Sequence, residues 1–266
     1  MSKLFDKQIE EIQTICKAIR LSGINACITE ELMQAKEKRL SYEAFLLNIL
    51  RYEQDRQNEN GKQKRIRNAG FPKKMYLEEL DQTYLSGDVQ RKLSILSNLE
   101  FIKNGQNVIL LGSTGTGKTH TATALGIKAC MEGYKVLFTT VPLLITQLKE
   151  CRSNKTLKAF ENKFEKYDLV IADELGYISF DKEGAELLFT HISLRAGRKS
   201  TIITTNQPFS KWGEVFGDTT TLSFSSSATF SSVDSRNDCL TSSLRPFATS
   251  FVSSKYSFTP SLSKIS

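Results

Sequence analysis

No apolar run in this chain of 266 residues approaches the roughly 18 that a bilayer-crossing helix needs. The N-terminus opens on charged residues where a secretory signal would carry an apolar stretch, so the sequence predicts a cytoplasmic protein with no membrane partner. Five cysteines, Cys16, Cys27, Cys130, Cys151 and Cys239, include no CxxC pair. That spacing argues against a disulfide framework and a zinc site, and leaves reduced thiols, mostly in the core. The two histidines, His120 and His191, are too few and too far apart to suggest a metal centre, and a packing or surface role fits them better. Zinc-finger, basic-zipper and helix-turn-helix strings are also missing, so nothing supports sequence-specific reading of DNA.

What remains has the hydrophobic and charged fractions of a soluble globular protein, 39% and 24%. The length suits one sizeable α/β core with a smaller appended domain. A formal net charge of +7 favours a polyanionic partner, although a basic balance alone is weak evidence.

Residues 4–21 space Leu4, Ile9, Ile12, Ile15, Cys16 and Ile19 as the stripe of an amphipathic helix, which Gly23 and Asn25 are expected to break. A second helix is predicted over about 29–39, and Ser41 is a suitable N-cap for a third that carries Phe45, Leu46, Ile49 and Leu50. Together they make a small all-helical N-terminal domain, residues 1–75, as a possible DNA-binding or oligomerisation module. Its basic run, Lys62, Lys64, Arg65 and Arg67, then Lys73 and Lys74, flanks the turn Gly70-Phe71-Pro72 and supplies candidate DNA contacts. An ordinary solvated helix face would look the same.

From about Asp88 to Asp218 the pattern alternates between helix and strand, as in a parallel α/β domain, which is placed over residues 76–218. Continuous apolar runs at 108–111, 136–140, 169–172 and 201–205 predict strands buried on both faces. From 219 to 266 serine and threonine dominate, interspersed with phenylalanine, and the periodicity vanishes.

The first of these strands leads into Gly112-Ser113-Thr114-Gly115-Thr116-Gly117-Lys118-Thr119, a complete phosphate-binding loop. Its glycines let backbone N–H groups close around phosphates, and the following helix points its positive end at the same charge. Lys118 is placed to contact the β- and γ-phosphates of a nucleotide, and Thr119 to ligate Mg²⁺. The third run ends in Asp173-Glu174, a Walker B pair in which Asp173 would hold Mg²⁺ and Glu174 would orient the attacking water. At the end of the fourth, Asn206 is a candidate sensor of the γ-phosphate, with a simple turn before Pro208 as the plainer reading. Arg195, Arg198 and Lys199 form a basic cluster that either reaches another subunit or faces solvent.

These strings, with DELGY from Asp173, GAELLF from Gly184, SLR from Ser193, STIITTN from Ser200 and WGEVF from Trp212, resemble the IstB-like ATP-binding proteins, the helper ATPases of insertion-sequence transposition. Leu40 to Leu46 and Ala69 to Pro72 resemble that family's helical domain, so the likeness covers about residues 1–218. It implies an AAA+ type P-loop NTPase fold, with a parallel sheet flanked by helices, close to the DnaC-type helicase loaders. It also implies an ATP-dependent homo-oligomer on double-stranded DNA that deforms the duplex for a transposase, with hydrolysis used for disassembly. The family's nucleotide residues carry over to Gly112, Gly117, Lys118, Thr119, Asp173, Glu174 and Asn206.

The departure follows Gly217-Asp218, where the family continues into a short helix with a Leu-Asp-Arg type motif and a last strand. Here only Arg236 and Arg245 follow, in serine-rich surroundings. The expectation is a last strand missing or replaced, a phosphate-loop strand left as an unpaired sheet edge, no trans-acting arginine, and a disordered or frameshifted tail. Alternative readings are a DnaC-like helicase loader and a decayed, hydrolysis-deficient ATP-binding remnant.

Overall fold

The computed structural model describes residues 3–80, 87–177, 180–208, 211–212 and 230–234. The chain divides into two compact units, one of residues 1–68 with Cys130–Gly133, the other of Ala69–Ala129 and the residues from Tyr134 on.

The first unit is built on α1 (Lys3–Ala18), α2 (Ser22–Glu37) and α3 (Tyr42–Ala69). Cys16, Ile24, Ile28 and Ile49 form its core, with Ile12, Leu21, Leu32 and Phe45 packed against them. The apolar spacing of the first and third predicted helices thus converges on one small core. Ser41 caps α3 as expected, its Oγ accepting the Ala44 N–H at 3.2 Å.

The break expected at Gly23 and Asn25 does not occur, because both lie inside α2. Glu53 of α3, 5% exposed, accepts the N–H groups of Gly23 and Ile24 through Oε2 at 2.7 and 2.9 Å. A carboxylate from a neighbouring helix thereby serves the first orphan donors of α2. A Cβ on Gly23 would lie 2.9 Å from the Glu53 Cα, so this glycine permits close helix approach and does not end a helix.

The second unit holds a five-stranded parallel sheet of β1 (Asn107–Leu111), β2 (Val136–Thr140), β3 (Leu169–Leu175), β4 (Ser200–Thr205) and β5 (Phe230–Asp234), in the order β2-β3-β4-β1-β5. Helices α4 (Gly87–Ser97) and α5 (Glu100–Lys103) precede β1, and α6 (Lys118–Met131), α7 (Val141–Ser153), α8 (Leu157–Phe164) and α9 (Lys182–Ser193) connect β1 to β4. The parallel sheet flanked by helices, with a phosphate-loop strand within it, is observed as expected from the sequence. One core cluster unites Val170, Ala172 and Ile203 of the sheet with Leu144 and Leu148 of α7, Leu188 and Ile192 of α9, and Trp212.

The expected unpaired edge at β1 is not found. Phe230–Asp234 pairs parallel to β1 over its full length, Asn107 with Phe230 through Leu111 with Asp234. The physical reason is that ladder bonds are made by backbone N–H and C=O groups, so a segment without the family's last-strand sequence can still meet the needs of β1. The rest of the expected tail, with Gly217-Asp218, Arg236, Cys239 and Arg245, lies outside the described residues.

Candidate nucleotide site

Strand β1 hands the chain to the phosphate loop at Gly112, whose N–H donates to the Thr205 carbonyl at 3.2 Å and extends the β1–β4 ladder by one bond. Gly115 and Gly117 both adopt φ +82°, and a Cβ built on either would meet nothing within 4 Å. The glycines are therefore needed for backbone conformation, not for space. Thr116 Oγ1 donates to the Ser113 carbonyl at 2.9 Å and closes the loop from inside. Lys118, the first residue of α6, donates from Nζ to the same carbonyl at 2.8 Å. Burial pushes the Lys118 ammonium below its ordinary pKa, and the charge of Asp173 opposes that shift.

Asp173 is 4% exposed and accepts Thr119 Oγ1 at 3.0 and 3.1 Å on its two carboxylate oxygens. A hydroxyl held against a carboxylate beside a phosphate loop is a donor set suited to a hard cation such as Mg²⁺. Strand β3 is irregular at this point. Its pairing with β4 steps from Ala172 with Ile203 to Leu175 with Thr205, and Glu174 adopts φ +66°. Glu174 itself is exposed. Asn206 lines the same cleft with Thr114, Gly115, Lys118, Thr119, Glu174 and Thr204. Its Oδ1 is buried and has no hydrogen-bond partner among the described residues. An orphaned buried acceptor in a polar cleft marks a place for a ligand group. The phosphate loop, Asp173, Glu174 and Asn206, read from three separate strings, are thus brought together.

The polar groups that support this cleft escaped the sequence reading. Thr204 and Thr205 were legible only as the end of a strand. Yet Thr204 Oγ1 donates to Asp173 Oδ1 at 2.5 Å and accepts the Glu174 N–H at 2.9 Å, while Thr205 Oγ1 donates to the Leu175 carbonyl at 2.9 Å. Tyr177 brings its hydroxyl within 3.4 Å of Thr114 Oγ1 on the loop. The only available signal was the position of these residues at the carboxyl ends of parallel strands.

Arg195 neither reaches another subunit nor faces solvent. It is 2% exposed and donates to the carbonyls of Phe164, Tyr167 and Ser200 at 2.7, 2.9 and 3.2 Å. Its guanidinium ties the turn after α8 to the start of β4, and burial lowers its pKa to about 10. Lys199 pairs with Asp168, and Arg198 is exposed.

The basic run is distributed over both units. Lys62, Lys64, Arg65 and Arg67 lie on α3, and Lys73 and Lys74 follow Gly70 in the second unit. Lys62 lies 3.8 Å from Glu59, and Arg65 donates to the Cys130 carbonyl at 2.7 Å. Lys64, Arg67, Lys73 and Lys74 are exposed. His120 approaches the Tyr76 carbonyl at 3.3 Å, and His191 is buried, which agrees with packing roles for both. Among the described residues no His, Cys, Asp and Glu group could hold a metal by itself, and no helix is long and apolar enough to cross a membrane.

A family model described as IstB-like ATP binding protein matches residues 14–224. The chain belongs to this family. It is 33% identical over 210 residues to an ATP-binding protein of insertion sequence IS21 from Pseudomonas aeruginosa, covering 79% of each chain. It is 32% identical over 179 residues to the corresponding IS232 protein of Bacillus thuringiensis subsp. berliner, covering 67% of this chain and 72% of that one. Among solved structures, AMPPCP-bound DnaA from Aquifex aeolicus superposes with a TM-score of 0.52 at 23% identity, covering 64% of this IstB-like chain. The match spans 52% of the DnaA chain, and likeness at this level speaks to the shared fold alone.

Proposed function

We propose that this IstB-like protein is an ATP-dependent DNA-binding helper of insertion-sequence transposition, which assembles on target DNA, remodels it for a transposase, and uses ATP hydrolysis to disassemble. The observation that carries the reading is the Thr119–Asp173 pair set against the phosphate loop, in a chain of the insertion-sequence ATP-binding family. In this reading the loop N–H groups and Lys118 bind and orient the phosphates of ATP. Thr119 and Asp173 would hold Mg²⁺, which would screen phosphate charge. Glu174 orients a water for attack on the γ-phosphorus, with ADP as the leaving group, and Asn206 contacts the γ-phosphate.

DNA contact through exposed Lys64 and Arg67 fits a backbone-directed, largely sequence-independent mode with strong salt dependence. Arg65 is assigned to the Cys130 carbonyl instead. The test is fluorescence anisotropy with random-sequence duplex, with and without ATP, using Lys118→Ala as control. ATP-dependent binding that the variant loses supports the reading. Equal binding with and without ATP, in protein that binds ATP, overturns it.

A further inference from the structure

We propose that Thr204 is a positioning residue that sets both acidic groups of the nucleotide site through a single hydroxyl. The inference rests on the ATP-binding reading of the cleft and assigns a role to a side chain that need not touch the nucleotide.

The register of the sheet poses the problem that Thr204 solves. Ala172 pairs with Ile203 and Leu175 with Thr205, so Asp173 and Glu174 together stand opposite Thr204 alone. An extra residue in one strand is a bulge, and it costs the bulged strand a ladder partner. The cost is visible at Glu174, whose φ of +66° is uncommon for any residue but glycine and persists only where the surroundings hold it.

The hydroxyl holds it. A threonine Oγ carries one proton to donate and lone pairs to accept, and here both capacities are used. Oγ1 accepts the Glu174 N–H at 2.9 Å, taking the donor that the bulge displaced from the ladder, and gives its own proton to Asp173 Oδ1. Thr204 is 1% exposed, so its hydroxyl makes both bonds out of contact with bulk water. One buried atom therefore fixes the carboxylate that faces Thr119 and the backbone turn that aims the Glu174 side chain at the open cleft. Valine has the same shape and can do neither.

The test compares Thr204→Val, Thr204→Ala and Thr204→Ser in the full chain. Calorimetry measures binding of a non-hydrolysable ATP analogue with and without Mg²⁺, and steady-state assays give kcat and KM. In Thr204→Val, or in Thr204→Ala if valine prevents folding, we expect the Mg²⁺ concentration for half-maximal effect to rise about tenfold or more, as for other lost partners of metal-holding carboxylates. Mg²⁺-free analogue binding should stay within about twofold, because the phosphate loop is untouched. Thr204→Ser should restore the parental Mg²⁺ response and kcat. An unchanged Mg²⁺ response in the valine or alanine variant overturns the proposal, as does a serine variant as impaired as the others. If the parent binds no ATP analogue, the ATP reading fails and a crystal structure of the variant decides the positioning claim. Glu174 leaving positive φ upholds it, and Glu174 remaining near its present φ overturns it.

Discussion

Thr119 Oγ1 and the carboxylate of Asp173 meet at 3.0 and 3.1 Å although 54 positions separate them in sequence. The contact joins the start of α6 to the end of β3, and it is the link between the phosphate loop and the acidic strand. Thr119→Ala and Asp173→Asn are each expected to weaken Mg²⁺-dependent ATP binding about 10- to 100-fold. Nucleotide binding without metal should change far less. Titration calorimetry with and without Mg²⁺ checks this, and equal losses in both conditions would show the pair acting on the loop's shape and not on a cation.

Lys118 predicts a conflict between function and stability. Burial disfavours its charged form, so the ammonium is held in the cleft at a cost to the folded protein. Lys118→Met should abolish ATP binding while leaving the melting temperature equal to or above that of the parent. A clear drop in melting temperature would mean that the bond to the Ser113 carbonyl matters more to the fold than burial of the charge.

Arg195 should behave as a structural keystone, in contrast to its neighbour. Arg195→Leu removes the donor from three carbonyls and is expected to cost about 3 kcal/mol in urea unfolding. Arg198→Ala, at an exposed position, should stay within about 0.5 kcal/mol. If the two variants unfolded alike, the buried network would carry no net stability.

Acid should loosen the end of the sheet at Asp168. Burial would raise its pKa, but the Lys199 ammonium and the Lys135 N–H prevail and hold the carboxylate below its ordinary value. A depressed folded pKa contributes stability above the unfolded value of about 4 and loses it as pH falls through the folded one. The stability difference between the parent and Asp168→Asn should therefore be constant from about pH 8 to 5 and shrink below about pH 4. Denaturant unfolding across that range measures it, and a gap that persists unchanged to pH 2 would contradict the assignment.

Four strands were readable because parallel strands buried on both faces need apolar side chains in succession, and Val108 to Leu111 and Leu169 to Ala172 carry no other pattern. The phosphate loop was readable because glycines at positive φ and a lysine at a helix start are local demands, met within eight adjacent residues. Gly23 was misread because its meaning depends on Glu53, thirty residues away. Arg195 offered only a charge, and nothing in its neighbours told that the carbonyls of Phe164 and Tyr167, some thirty residues away, join that of Ser200 around it.

The sequence by itself determined the four strands between 107 and 205, the chemistry of the phosphate loop and the family, since each depends on the order of neighbouring residues. Tertiary structure alone decided the strand order, the pairing of Phe230–Asp234 on β1, the bulge at Asp173 and Glu174, and the two bonds of Thr204 that support it. These depend on which backbone and hydroxyl groups arrive beside one another after the chain has closed. Ladder bonds carry no side-chain signature, and a buried threonine in a strand looks the same in sequence whether or not its hydroxyl has work to do.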